Sequence, residues 1–153
     1  ILGYNAVGQG DNTVAFGANG SMVYATYTSS AAWTRNSDER LKTNINNDTL
    51  GLDFINKLRP VTYNWKPSNE ISQELKDHYS EENRADTTVV MHGLIAQEVK
   101  SALDEVGVNT FEGWSEQADG TQSISREMFV LPLINAVKEL TARVKELEAK
   151  VNA

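Results

Sequence analysis

The C-terminal part of the chain carries the most regular pattern of apolar positions. Apolar residues recur at alternating spacings of three and four over residues 130–151, as in the a/d seam of a coiled coil. A stripe with the 3.6-residue period would drift by about 20° per heptad, whereas this stripe keeps its register. The pattern favours association between copies over a helix packed only on its own domain, and β-branched a positions with leucine at d lean toward two strands. The a positions are Val130, Val137, Val144 and Val151, and the d positions are Leu133, Leu140 and Leu147.

The middle of the chain alternates between helical and strand patterns over short distances, which predicts a small α+β domain. The predicted elements are a helix capped by Asp48 that ends before Pro60, a strand over 61–65, a solvated helix or insertion loop over 68–87, a strand over 89–91 that leads into a short helix over 94–99, and a hairpin with its turn at 118–121.

The first 36 residues differ from the rest in composition. They contain only two charged side chains, Asp11 and Arg35, but five of the ten glycines. An Asn-x-Val-x-x-Gly cadence, seen at 5–10 and 12–17, predicts short strands with tight turns. Such strands cannot bury a core alone, so stacked repeats or chains wound around one another are expected. A flexible linker is the alternative, but the apolar residues of this segment disfavour it.

Composition excludes several classes of function. The chain has 153 residues, no cysteine and two histidines, which rules out disulfide scaffolds and thiolate metal sites. A net charge of −7 argues against a non-specific nucleic-acid binder. No apolar run has the length of a membrane span, and the acids at 70–86 lack the spacing of a calcium loop. We therefore predict no cofactor, metal, nucleic acid or membrane partner. The start at Ile1, with no initiator Met, suggests a fragment of a longer protein.

The segment from Asn36 to Lys42 has two interpretations. In the first, Ser37 is the N-cap of a short helix with acids in its first turn. In the second, Ser37 and Lys42 form a dyad in which a desolvated amine takes the hydroxyl proton. A spacing of five residues separates side chains by about 140° on a helix and puts them on opposite faces of a strand. The pair can therefore meet only across a bend or between subunits.

Residues 37–42, Ser-Asp-Glu-Arg-Leu-Lys, resemble the Ser-Asp-x-Arg-x-Lys signature of the peptidase S74 family. These are the C-terminal intramolecular chaperone domains of phage tailspikes, tail fibres and neck appendages, including endosialidases. Three more segments resemble family motifs in the same order: Leu-Arg-Pro-Val-Thr-Tyr-Asn-Trp at 58–65, His-Gly-Leu-Ile-Ala-Gln-Glu-Val at 92–99 and the closing helix at 131–140.

The resemblance implies an intertwined homotrimer that aligns three fibre chains and then releases itself by autoproteolysis. It implies cleavage of the Asn36–Ser37 bond, with Ser37 as nucleophile, Lys42 as general base, and Asp38 and Arg40 shaping the turn between them. The expected domains are the C-terminal end of a β-structured fibre or spike over 1–36, the α+β chaperone and autopeptidase domain over 37–129, and a coiled-coil trimerisation helix over 130–153.

The partners implied are other copies of the chain and its own upstream fibre or spike domains. The expected location is a virion tail appendage precursor made in the host cytoplasm, from which the chaperone domain is released after assembly. His92 is read as a packing residue, and Gln97 and Glu98 as structural hydrogen-bonding residues. The alternative is that these three residues support Lys42 by contacting the groups around it.

Two other functions stay open at this point. A non-enzymatic oligomerisation or adhesion tip would keep the coiled coil and the β-segment and leave Ser37 as a cap. A related autocleaving domain joined to a membrane-tethered transcription factor is the other, but the glycine-rich β-cadence upstream favours a fibre.

Overall fold

The computed structural model describes residues 2–4, 6–18, 21–28 and 32–152. The chain divides into two compact units, Ile1–Asn47 and Asp48–Ala153. The change in composition near residue 36 lies inside the first unit, so the whole Ser37–Lys42 segment belongs to that unit. Ala153, the last residue of the predicted trimerisation helix, and Asn5, the first residue of the N-terminal repeat pattern, are outside the described residues.

The first unit contains the short strands that the N-terminal cadence predicts. Strands β1 (Thr13–Ala18), β2 (Ser21–Thr26) and β3 (Thr34–Arg35) form an antiparallel sheet in chain order. Leu2 lies along the outer edge of β1, where its N–H donates to the Ala15 carbonyl at 3.1 Å and its carbonyl accepts from the Gly17 N–H at 3.0 Å. The prediction of β-structure in this segment is confirmed.

The two faces of this sheet differ in burial. Side chains alternate between faces along a strand, and the pairing of Phe16 with Val23 puts both on one face. On that face Val14, Phe16 and Val23 are exposed, and the ring of Trp33 lies 5.4 Å from that of Phe16. Ala15, on the other face, is buried. An exposed face that is this apolar is typical of a surface that another chain covers.

The second unit is mixed α+β, as the patterns of the middle segment predict. It contains two two-stranded antiparallel sheets. One pairs residues 61–63 with residues 91–93, and the other is the hairpin predicted around the turn at 118–121. Its elements are α1 (Leu52–Lys57), β4 (Val61–Tyr63), β5 (Met91–Gly93), α2 (Ala96–Glu105), β6 (Trp114–Glu116), β7 (Gln122–Ile124) and α3 (Val130–Val151), with 3₁₀ turns at Ser68–Glu70 and Arg126–Phe129.

The core of the second unit is a cluster of three phenylalanine rings. Phe54 of α1, which is 1% exposed, lies 5.7 Å from Phe111 and 6.2 Å from Phe129 between ring centroids. Phe111 and Phe129 meet edge to face at 5.3 Å, a favoured aromatic geometry. Leu50, Val99, Ala102 and Leu103 complete the buried cluster. The core therefore joins α1 to α2 and to the turn that precedes α3.

The prediction that Asp48 caps α1 is wrong. The N-cap is Gly51, which has no side chain to accept a hydrogen bond. Asp48 instead accepts from the Leu50 N–H at 3.0 Å, in a turn that precedes the helix. The free N–H of Leu52 donates to Glu139 Oε1 of α3 at 3.2 Å, so a residue 87 positions away takes the role of the cap.

Residues 68–87, predicted as a solvated helix or an insertion loop, form a loop tied together at its ends. Asn83 Oδ1 accepts from the Ser68 N–H at 3.1 Å, and Ser68 Oγ accepts from the Arg84 N–H at 3.3 Å. Ser68 is buried, and the Ser80 N–H donates to its carbonyl. These bonds close the loop on itself, so a polar segment of this length does not disturb the β4–β5 pairing.

Helix α3 packs on its own domain with only one of its faces. Pro132 and Ala136 are buried, and Asn135 contributes hydrogen bonds on the same side. In the heptad these are c, f and g positions, whereas every a and d residue is exposed, among them Val137 at 61% and Leu140 at 47%. The predicted long C-terminal helix is confirmed, and its apolar seam faces away from its own domain.

Replacing Phe54 with alanine should lower the free energy of unfolding of the second unit by about 3–5 kcal/mol, because the change removes a buried ring and leaves a cavity. Urea unfolding followed by tryptophan fluorescence measures the loss. Val89→Ala is the control, since Val89 is exposed and its truncation should cost little. A Phe54→Ala variant as stable as the control would contradict this account of the core.

Candidate catalytic dyad

The site is built on a tight turn that follows β3. Residues Glu39–Leu41 form a single 3₁₀ turn, in which the Leu41 N–H donates to the Asp38 carbonyl at 3.0 Å and the Lys42 N–H donates to the Glu39 carbonyl at 2.9 Å. Asp38 before the turn and Lys42 after it are both in extended conformation. The turn therefore reverses the chain between two extended residues.

Asp38 and Arg40 hold this turn together. Asp38 Oδ1 accepts from the Arg40 backbone N–H and from its Nε, each at 2.9 Å, and Oδ2 accepts from Nη2 at 2.7 Å. One carboxylate thus caps the turn and binds the guanidinium in a two-pronged ion pair. The hydrogen bonds from the Arg40 side chain and then its backbone N–H lower the pKa of Asp38, and the same carboxylate raises the pKa of Arg40.

The reversal brings Lys42 back to Ser37. Lys42 Nζ lies 2.6 Å from Ser37 Oγ, and the ammonium donates to the hydroxyl oxygen. The five-residue spacing excludes this contact on a regular helix or strand, and the 3₁₀ turn supplies the bend that the contact requires. Both side chains are exposed. The residues predicted as nucleophile and general base are therefore in direct hydrogen-bond contact, beside the Asn36–Ser37 peptide bond.

The interpretation of Ser37 as the N-cap is wrong, because the N-cap is the next residue. The capping side chain is Asp38, whose carboxylate accepts from the Arg40 N–H. Because a carboxylate is at least as good a cap as a hydroxyl, the neighbouring aspartate takes this position. The Ser37 hydroxyl is thereby left to bind Lys42.

The other predicted site residues lie in the second unit. Glu98 on α2 accepts two hydrogen bonds from Arg59, one of them from Nε at 3.1 Å, and forms an ion pair with its guanidinium. His92 is exposed on β5, and its carbonyl accepts from Arg126 at 3.3 Å. Gln97 is exposed on α2. Glu98 thus ties the segment at 58–65 to the segment at 92–99, whatever further role it has.

The described residues contain neither a metal-binding cluster nor a membrane-spanning helix. In the ranges 2–4, 6–18, 21–28 and 32–152, no group of three or more histidine or acidic side chains is arranged to hold a metal ion. In the same ranges, no helix is both long and apolar enough to cross a membrane.

Residues 37–108 match a family model described as a chaperone of endosialidase. The model is that of the Peptidase_S74 family, and it covers just under half of the chain. The match begins at Ser37 and ends shortly after α2. The family resemblance drawn from the sequence motifs is confirmed. A search of curated proteins gave no match.

The long-range contacts of three residues were not predicted from the sequence. Arg59 lies inside one of the quoted motifs, but nothing in its local pattern indicates Glu98 as its partner. Asn135 and Glu139 are four residues apart, a spacing that puts them on one helix face without saying what that face binds. Their partners in the Asp48–Leu52 segment are 85 to 87 positions earlier in the chain.

The lowered pKa of Asp38 predicts how the turn responds to acid. A carboxyl whose pKa is lowered on folding stabilises the turn at pH values above the pKa of the unfolded chain, which is near 3.8. This contribution is lost as the pH falls through the lower pKa of the folded chain. We expect the amide signals of Leu41 and Lys42 to keep their positions from pH 7 to 4 and to move only below that range. An NMR titration of the Asp38 carboxyl carbon measures this, and a midpoint at or above 3.8 would contradict it.

Proposed function

We propose that this chain is the end of a fibre or spike protein joined to an intramolecular chaperone that trimerises, aligns three copies and then cuts itself free between Asn36 and Ser37. The observation that carries the proposal is the 2.6 Å contact between Lys42 Nζ and Ser37 Oγ next to that bond. The match of residues 37–108 to a family model described as a chaperone of endosialidase supports the folding role.

The cleavage has two steps. In the first, the neutral amine of Lys42 takes the hydroxyl proton as Ser37 Oγ attacks the carbonyl carbon of Asn36. The C–N bond breaks, the nitrogen of Ser37 receives the proton from Lys42, and an ester joins the two residues. In the second step water adds to the ester, which leaves a carboxylate on Asn36 and restores the Ser37 hydroxyl. The reaction runs once per chain, and a half-time of about ten minutes corresponds to a barrier of about 21–22 kcal/mol.

Assembly supplies what the single chain lacks at this site. A lysine becomes a base near neutral pH when its amine is desolvated or close to another cation. Ser37 and Lys42 are both exposed in the single chain, as are the apolar residues Leu41 and Ile45 near them. Neighbouring copies that pack on this segment would cover the dyad and exclude water. Cleavage would then follow assembly and not precede it.

The exposed a and d residues of α3, with the charges beside them, support a parallel coiled coil between copies of the chain. In the heptad set by the valine and leucine positions, Arg143 occupies g and Glu148 occupies e of the next heptad. In a parallel, in-register coiled coil a g residue meets the following e residue of the neighbouring chain, so these opposite charges would pair. An antiparallel arrangement would instead bring g residues together, and both Arg143 and Lys150 are cationic.

The chaperone role has a physical basis. Three chains that wind into one β-structure must first be held in register, at a large entropic cost. A clamp at one end raises the effective concentration of the strands for one another. The exposed apolar face of the N-terminal sheet, with Phe16 and Trp33, supports such winding. After release, the product would persist because its unfolding is slow, which is kinetic stability.

The cleavage is tested by the intact mass of freshly purified protein. We expect fragments of residues 1–36 and 37–153, none from Ser37→Ala, and cleavage by Lys42→Ala slowed about 100-fold or more, because a general base contributes about 10²–10⁴-fold. Glu39→Gln is the control, since residue 39 has the variable position of the signature and should leave the rate unchanged.

An uncut parent that nevertheless forms a stable oligomer would reject autoproteolysis and favour a non-enzymatic clamp. Cleavage that persists in Ser37→Ala would assign the bond or the nucleophile elsewhere.

The parallel coil is tested by charge exchange at one pair. Arg143→Glu and Glu148→Arg should each shift the oligomer toward monomer, and the double variant should recover, because only the double variant restores opposite charges across the interface. Sedimentation equilibrium over a range of concentrations measures the shift and gives the stoichiometry. Lys145→Glu, at an outer b position, is the control. Single variants that assemble like the parent would contradict the pairing.

A further inference from the structure

Two polar side chains on α3 bind the backbone at the start of the second unit. Asn135 Nδ2 donates to the Leu50 carbonyl at 2.9 Å and to the Asp48 carbonyl at 3.2 Å. Glu139 Oε1 accepts from the Leu52 N–H at 3.2 Å. These residues hold f and c positions of the heptad, so they bind their own domain while the a/d seam stays free for other copies.

We propose that Asn135 and Glu139 are positioning residues that couple assembly of the C-terminal helix to the dyad. They fix the path of the Asp48–Leu52 backbone, which begins only six positions after Lys42. Assembly of the coil would hold this segment, and through the chain the dyad, in a cleavage-competent arrangement. The inference rests on the proposed autoproteolysis.

The contacts are suited to fixing the chain path. All three are made to main-chain groups, so they constrain where the backbone runs and not which side chains it carries. Gly51 leaves the space that Glu139 occupies, because a Cβ at this glycine would lie 1.9 Å from Glu139 Oε1. Helix α1 has no side-chain cap of its own, so its start depends on this carboxylate.

Little else in the chain holds the connection between the dyad and this segment. Residues 43–47 are all exposed and contain no helix or strand. Their local order is a left-handed residue at Asn44, with φ of +52°, whose carbonyl accepts from Asn46 Nδ2 at 2.9 Å. The α3 contacts therefore fix the backbone at the downstream end of this connection.

Assembly changes how firmly that anchor is held. From residue 137 to residue 152 every position of α3 is exposed in the single chain, and a helix without packing partners is marginally stable and frays. Glu139 lies where the buried part of α3 gives way to this exposed part. Burial of the seam between copies would remove the fraying and tighten the contacts at Leu50 and Leu52.

The test compares matched substitutions at two c positions of the same helix. Glu139→Ala removes the acceptor for the Leu52 N–H, whereas Glu146→Ala removes the same residue type one heptad later, beyond the part of α3 that contacts the Asp48–Leu52 backbone. Under conditions in which sedimentation shows the full oligomer, Glu139→Ala should cleave about fivefold to tenfold more slowly, the factor expected for loss of a helix cap. Glu146→Ala should cleave at the parental rate. Glu139→Gln keeps an acceptor oxygen and should restore most of the rate.

A second measurement does not depend on cleavage. Hydrogen exchange of the Leu52 amide, measured in the Ser37→Ala background, should slow when the oligomer forms and should lose this protection in Glu139→Ala only. A structural role alone would lower the melting temperature without making the protection of Leu52 depend on assembly. Protection that is equal in monomer and oligomer, or unchanged in Glu139→Ala, overturns the inference.

The two proposals fail in different ways. A parent that does not cleave rejects the autoproteolysis and with it the coupling to the dyad. A parent that cleaves beside an assembled Glu139→Ala variant with the parental rate rejects only the coupling. Asn135→Ala gives an independent check, because it removes the two contacts to Asp48 and Leu50 and should slow cleavage in the same direction.

Discussion

In the proposed trimer, helix α3 would take part in two interfaces at once, and the rest of the molecule depends on how its residues are divided between them. The c, f and g positions of α3, such as Asn135 and Ala136, bind its own domain, whereas the valines and leucines of the seam are exposed. Because the two sets lie on opposite sides of the helix, packing of the domain leaves the seam uncovered, and the proposed association of copies would use a surface that the domain itself does not need.

The dyad depends on a more local constraint. A serine and a lysine five residues apart meet only where the chain reverses, and the reversal here is a single 3₁₀ turn held by one carboxylate. Asp38 closes the turn through its hydrogen bonds to Arg40. Asp38 and Arg40 therefore hold the bend that brings Lys42 to Ser37. The order of residues in the signature is thereby explained by geometry.

The strands, the hairpin and the long helix could be predicted because each rests on a local pattern of apolar residues and turn formers. The cap of α1 could not, since the pattern indicates Asp48 while the actual acceptor, Glu139, comes from the far end of the chain. The contact of Lys42 with Ser37 does not follow from their spacing, which separates the two side chains on a regular helix or strand, and only the family resemblance predicts it. Sequence periodicity describes regular elements, and this contact forms in an irregular one.

The position of the Asn36–Ser37 bond bears on the fate of the upstream product. Strand β3 ends at Arg35, which is paired with Val23, and the 3₁₀ turn is capped from Asp38. A cut between them would fall between two locally closed structures, so each product would keep its hydrogen bonds. The upstream chain would end one residue beyond its last paired strand, without a flexible C-terminal tail that proteases could cleave.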